Sequence, residues 1–169
     1  MSIIARLAEL KLTLPAVAAP VGAYVPVRQA GKLIYTAGQI PIVGGVAIAS
    51  GLVGHAGSGA PIGDGQTESR VSLMQAQACA RQCVLNALAI VAAFLGGPER
   101  LDDIEAVVRL GVFVACGPEF TDHPKVANGA SELIVEIFGE KGRHARSAVG
   151  CSSLPLGVPV EIEFLFEVR

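Results

Sequence analysis

Two stretches near the end of the sequence, residues 143–150 and 159–164, restrict most strongly how this chain can fold. In both of them apolar residues alternate with polar ones, which is the pattern of a strand with one buried face. A glycine and a proline at their junction predict a turn. We therefore expect two neighbouring strands at the end of the chain. Arg146 lies in the first stretch and Glu161 in the second, so this pairing would bring a guanidinium group close to a carboxylate.

Apolar spacing elsewhere in the chain predicts helices and further strands. The expected elements, in chain order, are a short helix at residues 3–10, a proline-containing linker at 14–20, strands at 24–28 and 33–36 joined by a turn, a helix at 67–95, a strand at 104–116 and a helix from 121 or 122 to 138. A glycine-rich stretch at 51–65 predicts a loop, which we expect to be the least ordered internal segment. This order is typical of an α+β fold, in which a mixed β-sheet carries two helices packed on one face.

The composition favours a single domain that associates with copies of itself. Of the 169 residues, 51% are hydrophobic and 17% are charged, and helices on one sheet face leave the other face for a second subunit. The formal net charge of −2, without any Lys or Arg cluster, makes a nucleic acid an unfavoured partner. Since no apolar run reaches the ~18 residues of a transmembrane helix, no membrane partner is expected. Four scattered cysteines indicate reduced thiols and a cytoplasmic protein.

Six short motifs occur together over most of residues 19–168. They are Ala19-Pro-Val-Gly-Ala-Tyr24, Tyr35-Thr-Ala-Gly-Gln-Ile-Pro41, Val112-Phe-Val114, Ala145-Arg-Ser147, Leu154-Pro155 and Val160-Glu-Ile-Glu163. In their residues and spacing they resemble the motifs of the Rid family, the YjgF-type reactive intermediate deaminases. The resemblance is to a longer branch of that family, once labelled endoribonuclease L-PSP-like. The resemblance divides the chain into an N-terminal helix and linker at residues 1–18 and a single Rid-like domain at residues 19–169.

This resemblance implies a chorismate-mutase-like fold and a homotrimer whose active sites lie in the clefts between subunits. It also implies hydrolysis of 2-imino or enamine acids to 2-keto acids and ammonia, with no cofactor and no metal ion. By motif position, Arg146 would bind the substrate carboxylate, Glu161 would orient the attacking water, and Tyr24 would take part in catalysis. The expected partner is therefore a small metabolite that carries a carboxylate.

Other positions of these motifs supply further candidates and some departures. The remaining substrate-binding candidates are Asn128, which is a looser match, Thr36, Ser147 and Ala148. The chain departs from the family at three positions: Ala37 stands where a serine is common, Ala148 where a cysteine is common, and Gly150 where an acidic residue is common.

The chemistry of these residue types suits an imino acid. An arginine can hold a carboxylate by two parallel hydrogen bonds, which fixes the neighbouring C=N carbon relative to a water held by a glutamate. Without the family resemblance, Arg146 would be a surface ion-pair residue and Glu161 a solvated strand end. Glu163 would lie on the same sheet face as Glu161 and is a rival base. Tyr24 could equally have a core role.

Two other functions stay open besides an imine deaminase. One is a non-catalytic trimeric protein that binds a 2-keto acid or similar small metabolite, which would need Arg146 but not Glu161. The other is a ribonuclease or translation inhibitor, which the acidic composition disfavours.

Cys79 and Cys83 lie four residues apart on one helix face, and we expect them to pack in the core rather than bind a metal. We expect His144 to lie near the site in sequence only.

Overall fold

The computed structural model describes residues 1–17, 22–54 and 70–169, and within them it contains three α-helices and nine β-strands. The helices are α1 (Ile3–Glu9), α2 (Leu73–Leu95) and α3 (His123–Phe138). The strands are β1 (Val27–Ala30), β2 (Leu33–Thr36), β3 (Ile42–Val43), β4 (Val46–Ala47), β5 (Leu52–Val53), β6 (Arg70–Val71), β7 (Ile104–Ala115), β8 (Ala145–Cys151) and β9 (Val160–Val168). Short 3-10 helices cover Pro98–Asp103, Gly139–Gly142 and Pro155–Gly157. The predicted α+β fold, with a mixed sheet and helices packed on one face, is confirmed.

The main sheet has five strands in the order β1, β2, β9, β7, β8. β7 and β8 run parallel, whereas every other neighbouring pair in this sheet is antiparallel. The expectation that the last two strands are neighbours was wrong, because β7 lies between them. α3 forms the crossover that the parallel β7–β8 pair needs, and β9 then pairs with the other side of β7. Among the described strands, β8 therefore lies at an edge of the sheet.

The two faces of the sheet have different surroundings. Along β9 the buried and half-buried residues alternate without a break. Val160, Ile162, Phe164, Phe166 and Val168 point to the helices and belong to the hydrophobic core, while the alternate residues point away. We call the side to which these alternate residues point the open face. Tyr35 and Val149 lie on it, and each is almost half exposed.

α2 begins later than the start that Thr67 and Glu68 predict. Ser72 and Gln75 form a reciprocal capping box at its start, which satisfies two backbone N–H groups. Arg70–Val71 form β6, which pairs with β5, so the prediction that the helix includes residues 70–72 was wrong. The predicted start at residue 67 lies outside the described residues, as does most of the glycine-rich stretch predicted as a loop, residues 55–65. Its described part includes the short strand β5.

α2 and α3 pack closely at a single glycine. A Cβ atom on Gly129 would lie 2.5 Å from the Gln77 backbone oxygen and 2.8 Å from its Cα. By length and composition α2 could cross a membrane, but 56% of its most apolar stretch is buried inside the fold. A helix in the core of a globular domain has this same composition.

The N-terminal segments pack on the rest of the chain. Leu7 of α1 is buried in the core, the Ile3 N–H donates to the Asp102 carboxylate at 2.7 Å, and Arg6 Nε donates to the Glu136 carbonyl. The predicted strand at residues 24–28 is displaced, because β1 covers Val27–Ala30. The turn to β2 is confirmed, with Gly31 at a φ of 60°, a conformation that favours glycine.

Candidate active site

Arg146 lies on the helix side of β8 and is held by α3. In the parallel register it pairs with the core residue Leu110. Its Nη1 donates to Asn128 Oδ1 at 2.9 Å and to Ser131 Oγ at 3.0 Å. Asn128 and Ser131 are three residues apart and so lie on one face of the helix. The structure therefore brings together the predicted pair Arg146 and Asn128, and adds Ser131, which the motifs did not indicate.

His144 is part of this arrangement, contrary to expectation. Its Nε2 lies 3.0 Å from Ser131 Oγ, and its Nδ1 lies 2.6 Å from the Gly142 carbonyl oxygen. Partial burial is the main cause that lowers the pKa of His144; the Gly142 carbonyl opposes this shift and the Arg146 charge adds to it. The expectation that His144 is near the site in sequence only was wrong, because the turn at Gly142 folds its ring back onto α3.

An open pocket of about 420 Å³ lies beside these groups. Its lining residues are Ser131, Val135, Arg143, His144 and Arg146. Arg143 is paired with Glu140 at 3.0 Å. Within the described part of the chain, Arg146 makes hydrogen bonds through Nη1 alone. The Nε and Nη2 atoms of its guanidinium thus have donor capacity left for an anion in the pocket.

Glu161 lies on the open face of β9. Its side chain covers Gly38, where a Cβ atom would overlap the carboxylate. Burial first, and the nearby Glu163 carboxylate second, raise the pKa of Glu161 above its ordinary value. Among the described residues its carboxylate has neither an ion pair nor a hydrogen-bond donor. A half-buried carboxylate without a fixed donor, and with a raised pKa, has the properties of a general base.

Glu163 shares the open face with Glu161, as expected, but has a different setting. Arg109 Nη1 lies 3.5 Å from Glu163 Oε1, and Arg109 Nη2 donates to Ser147 Oγ at 2.8 Å. This polar network crosses three strands on the open face. Because Ser147 belongs to it, the structure places this predicted substrate-binding residue on the side of the sheet opposite Arg146.

Arg146 and Glu161 are not brought together within one chain. They pair with Leu110 and Phe113 of β7, so three residues and two strand spacings separate them, or about 14 Å between Cα atoms. Their side chains also point to opposite faces of the sheet. The expectation that strand pairing would join guanidinium and carboxylate was therefore wrong for a single chain.

The other candidates lie in three different places. Tyr24 precedes β1 and is 56% exposed. Thr36 Oγ1 accepts a hydrogen bond from the Phe164 N–H at 3.0 Å, so it stabilises the β2–β9 junction. Ala148 shares the helix-facing side with Arg146 and packs against the core. A Cβ atom on Gly150 would lie 2.6 Å from His123 Nε2 and 2.9 Å from the Cys116 sulfur, which explains a glycine at this position.

Three of the cysteines, Cys79, Cys83 and Cys116, belong to the hydrophobic core, whereas Cys151 is half-buried. All four are free thiols, and burial raises the pKa of Cys79 to about 11. Cys83 is fully buried, and burial likewise raises its pKa. The expectation that these two residues pack in the core is confirmed. Among residues 1–17, 22–54 and 70–169, no three His, Cys, Asp or Glu side chains are grouped to hold a metal ion.

Known proteins share this sequence pattern and fold. The family described as "YjgF/chorismate_mutase-like, putative endoribonuclease" matches residues 4–167. The chain belongs to the YjgF (Rid) family. This YjgF-family chain is 40% identical to protein TCP17 of Trypanosoma cruzi over 98% of its own length and 93% of that protein.

Solved structures of the family have the same architecture. The protein Atu1372 of Agrobacterium tumefaciens, of unknown function, is 40% identical, with a TM-score of 0.81 over 99% of this chain and 92% of that one. Escherichia coli TdcF, crystallised with bound serine, is 23% identical, with a TM-score of 0.59 over 93% of this chain and 95% of that one. At that identity the likeness to TdcF concerns the fold of the YjgF family alone.

Proposed function

We propose that this chain is a hydrolase that converts reactive 2-imino or enamine acids to 2-keto acids and ammonia. The observation that carries the proposal is the guanidinium of Arg146. Two acceptors on α3 hold its Nη1, while Nε and Nη2 have no hydrogen-bond partner among the described residues, and the residue lines an open pocket. An arginine fixed on one side and open on the other suits a carboxylate ligand. The serine bound to TdcF carries a carboxylate as well.

The active site would be shared between copies of the chain. Arg146 lies on an edge strand and Glu161 on the open face, about 14 Å away by strand geometry and on the other side of the sheet. A small imino acid cannot touch both residues in one chain. It could do so where the edge strand of one copy meets the open face of another, and the exposed Tyr35 and Val149 give that face apolar surface to bury. A homotrimer, as in the family resemblance, is the assembly we propose, in the cytoplasm.

The reaction follows from these positions. Arg146 would hold the carboxylate, and Glu161 of the neighbouring copy would accept a proton from a water that attacks the C=N carbon. The imine nitrogen takes the proton held by Glu161, which gives a carbinolamine. As its C–N bond breaks, the C=O bond forms and the hydroxyl proton passes through Glu161 to the nitrogen, which leaves as ammonia. Glu161 suits this role because its raised pKa strengthens it as a base. Tyr24 would donate a hydrogen bond.

The test combines ammonia release from freshly generated 2-imino acids with calorimetric titration of 2-oxobutyrate. Arg146→Lys keeps the charge but loses the planar fork. Since a hydrogen bond to a charged group contributes roughly 1.5–3 kcal/mol, affinity should fall at least about tenfold. Arg81→Lys is the matched control, because Arg81 pairs with Glu136 outside the pocket.

Three results would be informative. Loss of binding in Arg146→Lys alone, with both variants folded by melting curve, supports the proposal. Equal affinities in the wild type and both variants would show that Arg146 is not the carboxylate anchor. Binding of 2-oxobutyrate without ammonia release, and no effect of Glu161→Gln, would favour the non-catalytic binding protein.

A further inference from the structure

Four groups form a series of hydrogen bonds that ends at Arg146. The Gly142 carbonyl contacts His144 Nδ1 at 2.6 Å, His144 Nε2 contacts Ser131 Oγ at 3.0 Å, and Ser131 Oγ contacts Arg146 Nη1 at 3.0 Å. The three contacts join the turn before β8, helix α3 and strand β8. These hydrogen bonds therefore connect Arg146, the carboxylate-binding candidate, to the backbone. They do so through two side chains that none of the family motifs includes.

The donor and acceptor roles of the four groups fix the direction of each hydrogen bond in this series. A carbonyl oxygen can only accept, so His144 must carry its hydrogen on Nδ1. In a neutral imidazole Nε2 then has no hydrogen and accepts from the Ser131 hydroxyl. The hydroxyl donates its single hydrogen there, which leaves the lone pairs of its oxygen for Arg146 Nη1. Burial lowers the pKa of His144, which favours the neutral ring that this order of bonds requires.

We propose that Ser131 and His144 are positioning residues, which hold Arg146 so that its Nε and Nη2 atoms face the ligand. This inference rests on the proposed function of the same site. Arg146 is on the surface, where a long side chain populates several rotamers and would lose that freedom on binding. A guanidinium that is already held by α3 loses less, and so binds a carboxylate more tightly. Asn128 supports the same nitrogen but has no second connection to the backbone of the 142–144 turn.

The first experiment uses ligand-free protein and so does not depend on turnover. Nitrogen NMR of the His144 ring should show hydrogen on Nδ1 and none on Nε2. The Nη groups of Arg146 should rotate slowly in the wild type and rapidly in Ser131→Ala. Ser131→Thr, which keeps a hydroxyl, should restore slow rotation. Ser152→Ala, at an exposed serine beyond β8, is the matched control and should behave as the wild type.

The second experiment separates binding from chemistry. Removing a group that only positions the carboxylate anchor weakens substrate binding without altering the reacting atoms. Ser131→Ala and His144→Asn should therefore raise KM about tenfold and leave kcat unchanged. The dissociation constant of 2-oxobutyrate should rise by the same factor, and Ser131→Thr should recover most of it.

The outcomes distinguish this inference from the proposed function. If the His144 ring carries its hydrogen on Nε2, or if Arg146 rotates equally in the wild type and Ser131→Ala, the positioning role is overturned whatever the activity. If kcat falls while KM is unchanged, Ser131 acts in the chemistry, and the role as stated is equally overturned. If rotation changes as expected but wild-type protein neither binds 2-oxobutyrate nor releases ammonia, the proposed function fails. The hydrogen bonds from Gly142 to Arg146 then have no role in carboxylate binding.

Discussion

The separation of Arg146 from Glu161 leads to a quantitative prediction about mixed assemblies. In the proposed reaction Arg146 is the carboxylate anchor and Glu161 is the base, so Arg146→Ala and Glu161→Gln should each be inactive alone. If a site takes its arginine from one chain and its glutamate from another, an assembly containing both variants has some sites with both residues intact. If both residues act within one chain, no mixture of the two variants can be active.

The size of the effect follows from counting chains. In a random equal mixture, half of the chains still have Arg146 and the other half still have Glu161. A shared site is intact when the correct chain supplies each residue, so about a quarter of wild-type activity should return, whatever the number of subunits in a closed ring. The recovered activity should vary as the product of the two fractions and be greatest in the equal mixture.

The assay is ammonia release after the two variants are unfolded together and refolded. Melting curves and sedimentation of each variant alone must match the wild type, so that loss of activity is not loss of assembly. A second mixture distinguishes the two arrangements directly. Wild type is refolded with an equal amount of the variant that carries both substitutions. Shared sites should then give about a quarter of full activity, and sites within one chain about a half. Inactive mixtures of two well-assembled single variants would refute the reasoning.

Further predictions concern single carboxylates and one glycine. Glu163→Gln should move the acid limb of kcat/KM to lower pH, because the Glu163 charge is the second cause of the raised Glu161 pKa; burial, the first cause, should keep the limb above 4.5. In the folded chain Glu161 holds its proton more tightly than in the unfolded chain, so its contribution to stability is complete below about 4.5 and is lost as pH rises through the folded pKa. The melting temperature of Glu161→Gln should therefore rise relative to that of the wild type as pH rises. A difference between the two that does not change with pH would contradict this sign. Gly129→Ala should lower the free energy of unfolding by about 1–3 kcal/mol in urea titrations, since its Cβ would overlap the Gln77 backbone.

Element types could be predicted because they depend on local pattern. The alternation in β9 and the β-branched content of β7 identify strands, and the glycine after Phe138 identifies the end of α3. The start of α2 was misplaced because Thr67 and Glu68 suit a helix start, whereas Arg70–Val71 instead pair as β6. A capping box at Ser72 is a more specific start signal than the pattern before it.

Pairing between distant strands could not be predicted in the same way. Two alternating strands with a turn between them fit a hairpin and also fit a sheet in which a third strand separates them. The 12-residue strand β7 has pairing capacity on both sides, and only the folded chain shows that both are used. Ser131 and His144 were missed for a related reason, because their contact joins a helix to a turn that lies 13 residues away.

The division of the proposed site between two faces has a physical reason. On the helix side, β9 residues such as Ile162 and Phe164 are almost fully buried, and a carboxylate there would lose its hydration without gaining a partner. On the open face Glu161 is buried enough to raise its pKa, yet still in contact with solvent. Arg146 needs side-chain acceptors, which α3 supplies only on the helix side of the edge strand. In the proposed assembly, a ligand that contacts both therefore lies between two copies of the chain.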